Sequence, residues 1–487
     1  MNEDLARRSI NSVKWNAISN IVQIVVGFTQ SLILARLLPI RTFGVYAGAL
    51  SIVTITAGLA NFGMTGAFLY RCEETEDLER TASIHFTLQL ILNMIWTAVM
   101  LVVGFVLIKP GGDGDLTAFL VLTLTHTIGN FSATPRAILW RQVEYRRIAI
   151  ASITNIILTF IFTCILALYG QALWALLATN IVDAFVNIYF FYIWRPVWRP
   201  KLLWSTPTVK YFLGFGSKQV VARLLTDALD KADELWVRTY LGATPLGFYS
   251  KAYSFALYPG KVIATPISNV ARGTYAEAAH DREELSETYN RTNSFMIRTG
   301  FLLVGLLALV APEFIRITIG ERWMPMLSTF RLMLPFTLFS PMKSTMGSVF
   351  SAIGKPGVIV RIKSIQLAVM SVFLFIFGNL FGIEGVALAV DLMMVLGITL
   401  ILHRAKQYID FSLKKLFSVP ILALFLALVA GFGLDRWLLG GMSDIFSGLI
   451  KGSVFNLFYV GILFLFDRKE IDVVHSMLKK YLLKNLL

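Results

Sequence analysis

The chain has 487 residues, 56% of them hydrophobic and 15% charged, whereas soluble domains carry about a quarter charged residues. That composition excludes an ordinary soluble enzyme. The net charge of +14 comes from basic residues spread through the segments between apolar stretches, a pattern that points to membrane topology rather than nucleic acid.

The first residues, MNEDLARRSINSVKWNAISN, mix both signs of charge and lack a short apolar core with a small-residue cleavage site, so they do not read as a signal peptide. Apolar stretches long enough to cross about 30 Å of hydrocarbon then recur along the whole chain. They predict fourteen spans: 14–36, 43–70, 83–108, 116–135, 148–169, 172–194, 211–237, 245–271, 294–312, 327–352, 358–380, 382–402, 417–434 and 447–466. Every backbone polar group in lipid must be satisfied within its own segment, so these are helices. The expected fold is an all-α polytopic membrane protein. Lys and Arg concentrate on the side of the N-terminus when the segments alternate, with Lys451 among the few in outer loops, so both termini are expected in the cytoplasm. Cys72 and Cys164 form no disulfide or metal pattern.

An internal repeat organises the spans. The junction of spans 1 and 2, LARLLPIRTFGVYAGAL (34–50), and that of spans 7 and 8, VRTYLGATPLGFYSKAY (237–253), superpose at an offset of 203 residues, matching Leu38 with Leu241, Gly44 with Gly247 and Tyr46 with Tyr249. Six spans separate the copies, so both halves keep one orientation, a parallel repeat of the kind found in transporters with a substrate site between the halves. The expected organisation is an N-terminal lobe over 1–200, a C-terminal lobe over 201–408, and spans 13 and 14 with a tail over 409–487.

Span 7 contains ARLLTDALDKADELWVR (222–238). Arg223, Asp227, Asp230, Lys231 and Glu234 share one helical face over about 16 Å, and Asp233 adds a further acid. One charge at the bilayer centre costs roughly 2.5–3.5 kcal/mol on insertion scales, so the stripe faces a wet cavity or protein. Span 1 carries a milder polar face of Asn16, Asn20, Gln23 and Gln30, and the 203 offset pairs Asn20 with Arg223 and Gln30 with Asp233. Spans 1 and 7 are therefore expected to line one cavity. A structural reading competes: a ladder joining Arg223 to Asp227 and Asp227 to Lys231, with Asp230 and Glu234 as a repulsive pair. Lys251 and Lys261 in span 8 either add positive charge to the cavity or snorkel to an interface. Arg36 and Arg41 stand at the outer ends of spans 1 and 2, as interfacial anchors or gate contacts. Asp183 and Asp391 are single acids in spans 6 and 12 that could cap a cavity wall or hold a coupling cation.

The segments LARLLPIRTFGVYAGAL, ALDKADELWVRTYLGATPLGFYSKAYSFALYPGKVIATPISNVA and GERWMPMLSTFRLML resemble the Wzx-type polysaccharide flippases, within the superfamily that also holds lipid II flippases and multidrug and toxin extrusion transporters. The resemblance implies two six-helix lobes and transfer of undecaprenyl-diphosphate-linked oligosaccharide repeat units from the cytoplasmic to the periplasmic leaflet of the bacterial inner membrane, for surface polysaccharide biosynthesis. It further implies a cationic cavity, with membrane lipids, a polymerase and glycosyltransferases as partners. Lys218, Arg223, Lys231, Lys251 and Lys261 suit that cavity by type and position, with Asn16, Asn20 and Gln23 beside them. Asp227, Asp230, Asp233 and Glu234 depart from a purely cationic site and stand as candidates for coupling to H+ or Na+. No other cofactor and no metal are expected. A lipid II flippase, or a cation-coupled multidrug exporter that uses the span 7 acids, is the alternative within the superfamily; a non-transporting scaffold is the alternative outside it.

Enzyme chemistry is not expected. The five histidines are isolated, and there is neither an HExxH pattern nor a phosphate-binding glycine loop. GTYAEAAHDREELSETYNRT (273–292) reads as a surface helix between spans 8 and 9, and 468–487 as an interfacial helix.

Overall fold

The computed structural model describes residues 3–71, 78–108, 114–438 and 442–468; Cys72, Lys109 and the expected interfacial helix beyond Arg468 lie outside them. Every expected span falls on helix. Ten helices among the described residues are long and apolar enough to cross a membrane, so the count of fourteen is not established. The difference has physical causes: span 7 is too charged, span 8 is interrupted by a π turn at Gly260–Ala264, the helix Leu334–Ala352 of span 10 carries Lys343 and several Ser, Thr and Pro and is too polar, and spans 11 and 12 run together as one element.

The chain divides into two compact units, Met1–Gly247 and Phe248–Leu487. In the first, α1 (Glu3–Leu37) packs along α7 (Tyr145–Leu168), which packs on α8 (Ala172–Ile188). Next come α2 (Ile40–Asn61), α3 (Met64–Arg71), α4 (Leu78–Leu107), α5 (Asp115–Asn130) and α6 (Ala133–Arg141). Val45, Ala49, Trp96, Phe119, Leu122 and Leu177 form a core where α2, α4, α5 and α8 meet. The chain breaks between α2 and α3 at Phe62 and Gly63, both with positive φ. Gly216 lies against the Phe62 carbonyl so closely that a Cβ there would collide with it.

Gly216 belongs to α9 (Thr206–Tyr240). This helix begins the second repeat, yet it packs within the first compact unit, chiefly against α2. Repeat and compactness thus divide the chain at different points. α10 (Ala243–Ala256) carries the chain across the boundary between the units.

In the second unit α11 (Thr265–Glu277) ends in a short 3-10 turn, and α12 runs unbroken from Arg282 to Thr318. The expected separate surface helix over 273–292 is therefore the end of α11 and the first turns of α12. The break between them is fixed by Asp281, an N-cap whose carboxylate accepts from the Glu283 N–H at 2.7 Å. Pro312 inside α12 supplies no N–H to Ala308; the Ala308 carbonyl accepts instead from Arg331 Nε at 3.1 Å. Arg331 lies on α13 (Leu327–Leu332), followed by α14 (Leu334–Ala352) and α15 (Gly357–Ala405). At Gly382 (φ 60°, ψ −136°) α15 leaves helical geometry. Its two arms lie side by side, with Gln366 Nε2 donating to the Met393 carbonyl at 3.1 Å, as two separate spans would. α16 (Leu413–Leu438) and α17 (Asp444–Phe466) pack on α12 through Phe301, Leu309, Ala427, Phe455 and Tyr459.

Large apolar side chains such as Val102, Phe105, Val106, Phe375, Leu380, Leu457 and Leu465 are exposed on these helices. A soluble protein rarely leaves so much apolar surface to water; on helices of spanning length it is the lipid-facing surface.

Candidate functional site

The charged stripe lies on α9, within the first unit. Arg223 Nε donates to Asp227 Oδ2 at 2.7 Å; the arginine side chain is 66% exposed and the aspartate 7%. One turn further, Lys231 Nζ donates to Glu234 Oε1 at 2.7 Å. Glu234 Oε2 also accepts from Ser51 Oγ on α2 at 2.7 Å, so this buried carboxylate is tied to two helices. Asp233 is buried and accepts from the Glu234 backbone N–H at 2.8 Å, while Asp230 is exposed. Arg238 ends the stripe with a bond to Asp115 Oδ2 at 2.5 Å, its side-chain carbons lying against Gly48.

The structural ladder expected from spacing is thus present in altered form. Arg223 takes Asp227 as foreseen, but Lys231 turns forward to Glu234 rather than back to Asp227, because Glu234 also meets Ser51. The expected repulsive pair of Asp230 and Glu234 is relieved by that lysine.

The other expected residues are dispersed. Asn16 and Gln23 are exposed and Asn20 half-buried on α1; Gln23 Nε2 donates to Ser19 Oγ at 2.9 Å, and the buried Gln30 donates to Thr163 of α7 at 3.1 Å. The polar face of α1 is therefore partly spent on α7, and α2 is the helix that α9 chiefly packs against. Arg36 and Arg41 are exposed. Lys218 lies on α9, with its side chain outside the described set. In the second unit Lys251 is buried, its Nζ 5.5 Å from the centre of the Phe255 ring, and Lys261 is exposed, its Nζ 5.2 Å from that of Tyr258.

Three constellations are not evident from spacing. A polar cavity in the first unit contains Arg136 and Asp183. In the second unit Lys451, expected in an outer loop, lies inside α17 and is buried. Its Nζ meets Glu313 Oε1 at 2.5 Å and Asp435 Oδ1 at 2.6 Å. Arg298 is likewise buried in α12 and pairs with Asp467 at 2.5 Å. Both escaped the sequence reading because their acids lie outside their own helices, Glu313 and Asp435 on α12 and α16 and Asp467 just past the end of α17.

Residues 33–328, more than half of the chain, match the family model described as "Polysaccharide biosynthesis protein". The chain belongs to that family. Among its relatives, it is 25% identical over 407 residues to the lipopolysaccharide biosynthesis protein WzxC of Escherichia coli K12, covering 80% of each chain. It is 24% identical over 324 residues to the succinoglycan biosynthesis transport protein ExoT of Rhizobium meliloti, covering 65% of this chain and 64% of that one. Solved structures share the fold. The lipid II flippase MurJ in an inward closed conformation superposes with a TM-score of 0.77 at 16% identity, covering 93% of this chain and 99% of that one. An inward-facing multidrug resistance transporter of the MATE family gives 0.63 at 14% identity, covering 82% and 98%. This family member is thus an all-helical, multi-pass membrane protein of that transporter fold.

Proposed function

We propose that this protein is a flippase for lipid-linked oligosaccharide. It would carry undecaprenyl-diphosphate-linked repeat units from the cytoplasmic to the periplasmic leaflet of the bacterial inner membrane by ion-coupled alternating access, without covalent chemistry and with both termini in the cytoplasm. A surface-polysaccharide polymerase and glycosyltransferases would supply and consume the cargo. The observation that carries the reading is the family match across residues 33–328, which includes the whole α9 stripe and both repeat junctions.

The stripe supports the reading in its electrostatics. Arg223 is mostly exposed and Lys231 keeps a fifth of its side chain accessible, so both can turn toward a diphosphate. Their acids are already engaged: Asp227 by Arg223, Glu234 by Lys231 and Ser51. Either cargo would have to open these pairs, but the accessible members are the cations, Arg223 at 66% against Asp227 at 7% and Lys231 at 21% against Glu234 at 5%. The test is complementation: the gene restores surface polysaccharide to a bacterium deleted for its own flippase of matching repeat unit, and drug susceptibility stays unchanged. Drug resistance without restored polysaccharide would favour the exporter instead.

A further inference from the structure

A cavity of about 220 Å³ lies within the first unit, among α2, α5, α6 and α8. It has room for about seven waters at the liquid volume of 30 Å³ each, and falls below the roughly 300–1,000 Å³ of pockets that take drug-sized molecules. Its lining is unusually polar for the interior of a membrane protein. Arg136 Nη2 donates to Asn187 Oδ1 at 2.5 Å and faces Asp183. Asp183 in turn accepts from Asn155 Nδ2 at 2.7 Å. Asn180, Thr54, Thr125 and His126 complete the polar wall.

The wall is held in place from behind. Asn130, which also lines the cavity, donates to Asn93 Oδ1 at 3.0 Å and accepts from Asn61 Nδ2 at 3.2 Å; Gln89 ties Asn61 to the Asn130 carbonyl at 3.1 and 3.0 Å. Against this rigid backing, Arg136 Nε and His126 Nε2 are buried without a hydrogen-bond partner among the described residues. Buried polar atoms of this kind are costly unless something fills the role of partner.

Three kinds of occupant fit poorly. A free cation is opposed by Arg136. A diphosphate is opposed by Asp183, which cancels the single arginine. An apolar drug meets the wrong surface and too little space. Amides and hydroxyls that both donate and accept, with one balanced charge pair, match a polyol, each of whose hydroxyls also donates and accepts.

The position adds an independent argument. Asn180 Nδ2 donates to the Tyr46 hydroxyl at 2.8 Å, and that phenol lies within electrostatic reach of Lys231 and Glu234. Leu50, Val53 and Thr54 of the cavity flank Ser51, which bonds Glu234. The cavity is therefore joined through the Asn180–Tyr46 hydrogen bond to a phenol within electrostatic reach of Lys231, one of the two cations proposed above for a diphosphate. In a lipid-linked sugar the first ring is joined directly to that diphosphate.

We infer that this cavity is a subsite for a single sugar ring of the cargo, seated by Arg136, Asp183, Asn180 and Asn187 and linked to Lys231 of α9 through Tyr46. The inference rests on the flippase reading. The test uses the purified full-length protein and two probes, undecaprenyl diphosphate and undecaprenyl diphosphate bearing one N-acetylglucosamine. Wild type is expected to bind the sugar-bearing lipid about tenfold tighter, the scale of one or two hydrogen bonds with a charged partner. Asn180→Ala and Asp183→Asn are expected to remove most of that ratio while leaving the affinity for bare undecaprenyl diphosphate unchanged. Thr54→Val, close to isosteric, is expected to reduce the ratio less and guards against misfolding of the other two. Equal binding of both lipids by wild type, or a ratio unchanged in all three variants, overturns the subsite alone. Failure of wild type to bind either lipid overturns the flippase reading and the subsite with it.

Discussion

Gly44 and Gly247 occupy the same place in the repeat and face one another. A Cβ on Gly44 would strike the carbonyl of Ala243, and one on Gly247 the carbonyl of Ile40, the residue that the same 203-residue offset pairs with Ala243. The contact is thus reciprocal, each copy of the motif offering its carbonyl to the glycine of the other. α2 and α10 can touch backbone to backbone there only because both positions lack a side chain.

In the flippase cycle proposed above, closing that contact would belong to one of the alternating states. Gly44→Ala and Gly247→Ala are each expected to cost this state about 1–3 kcal/mol, the scale of an overpacked contact, and to lower polysaccharide export several-fold at normal protein levels. Labelling of a cysteine placed at Thr244, which is exposed, is expected to speed up in both variants. Unchanged labelling and export would show that the contact is incidental.

The Lys231 and Glu234 pair separates structural from transport roles. Lys231→Ala leaves a buried carboxylate with Ser51 alone, and removing one partner of a buried pair costs about 3–5 kcal/mol; a clear fall in thermal stability is expected. The double variant Lys231→Met, Glu234→Met is expected to recover stability without recovering export. Full export by the double variant would make the pair a structural bolt.

Lys451 should behave purely as such a bolt. It holds Glu313 and Asp435, from α12 and α16, to α17. Lys451→Ala is expected to lower thermal stability by a margin similar to that of Lys231→Ala, with export falling only as far as the folded fraction falls.

The exposed pair of Arg282 and Asp410, with side chains 53% and 74% accessible, is the contrasting case. Such pairs contribute at most about 1 kcal/mol, so Arg282→Ala is expected to leave both melting temperature and export near wild type.

How much of this was legible beforehand depended on where the partners of each residue lie. The spans were legible because length and hydropathy are local properties, and the α9 stripe because seven charges in seventeen residues are conspicuous in an apolar chain. Gly44 and Gly247 were legible through the repeat. Asp183 was legible as an acid for a cavity wall, and it lines one; its companions Arg136 and Asn187 were not, because the wall joins residues of α6 and α8 and each alone reads as a segment cation or an ordinary amide. Lys451 was misplaced for the same reason. Its position near a span end suited an outer loop, and only Glu313 and Asp435, on two other helices, explain its burial. The packing of α9 on α2 could not be deduced either, since the polar face of α1 offered an equally plausible partner by composition.

The most direct test of the central claim is translocation in proteoliposomes. The purified protein is reconstituted with a fluorescent undecaprenyl-diphosphate-linked oligosaccharide, and the fraction of label reachable by an impermeant quencher is followed in time. Transfer between leaflets well above that of protein-free vesicles, lost in the Arg223→Ala, Lys231→Ala double variant, is the expected result. Transfer no faster than in protein-free vesicles, with folded protein present and a proton or sodium gradient imposed, would contradict it.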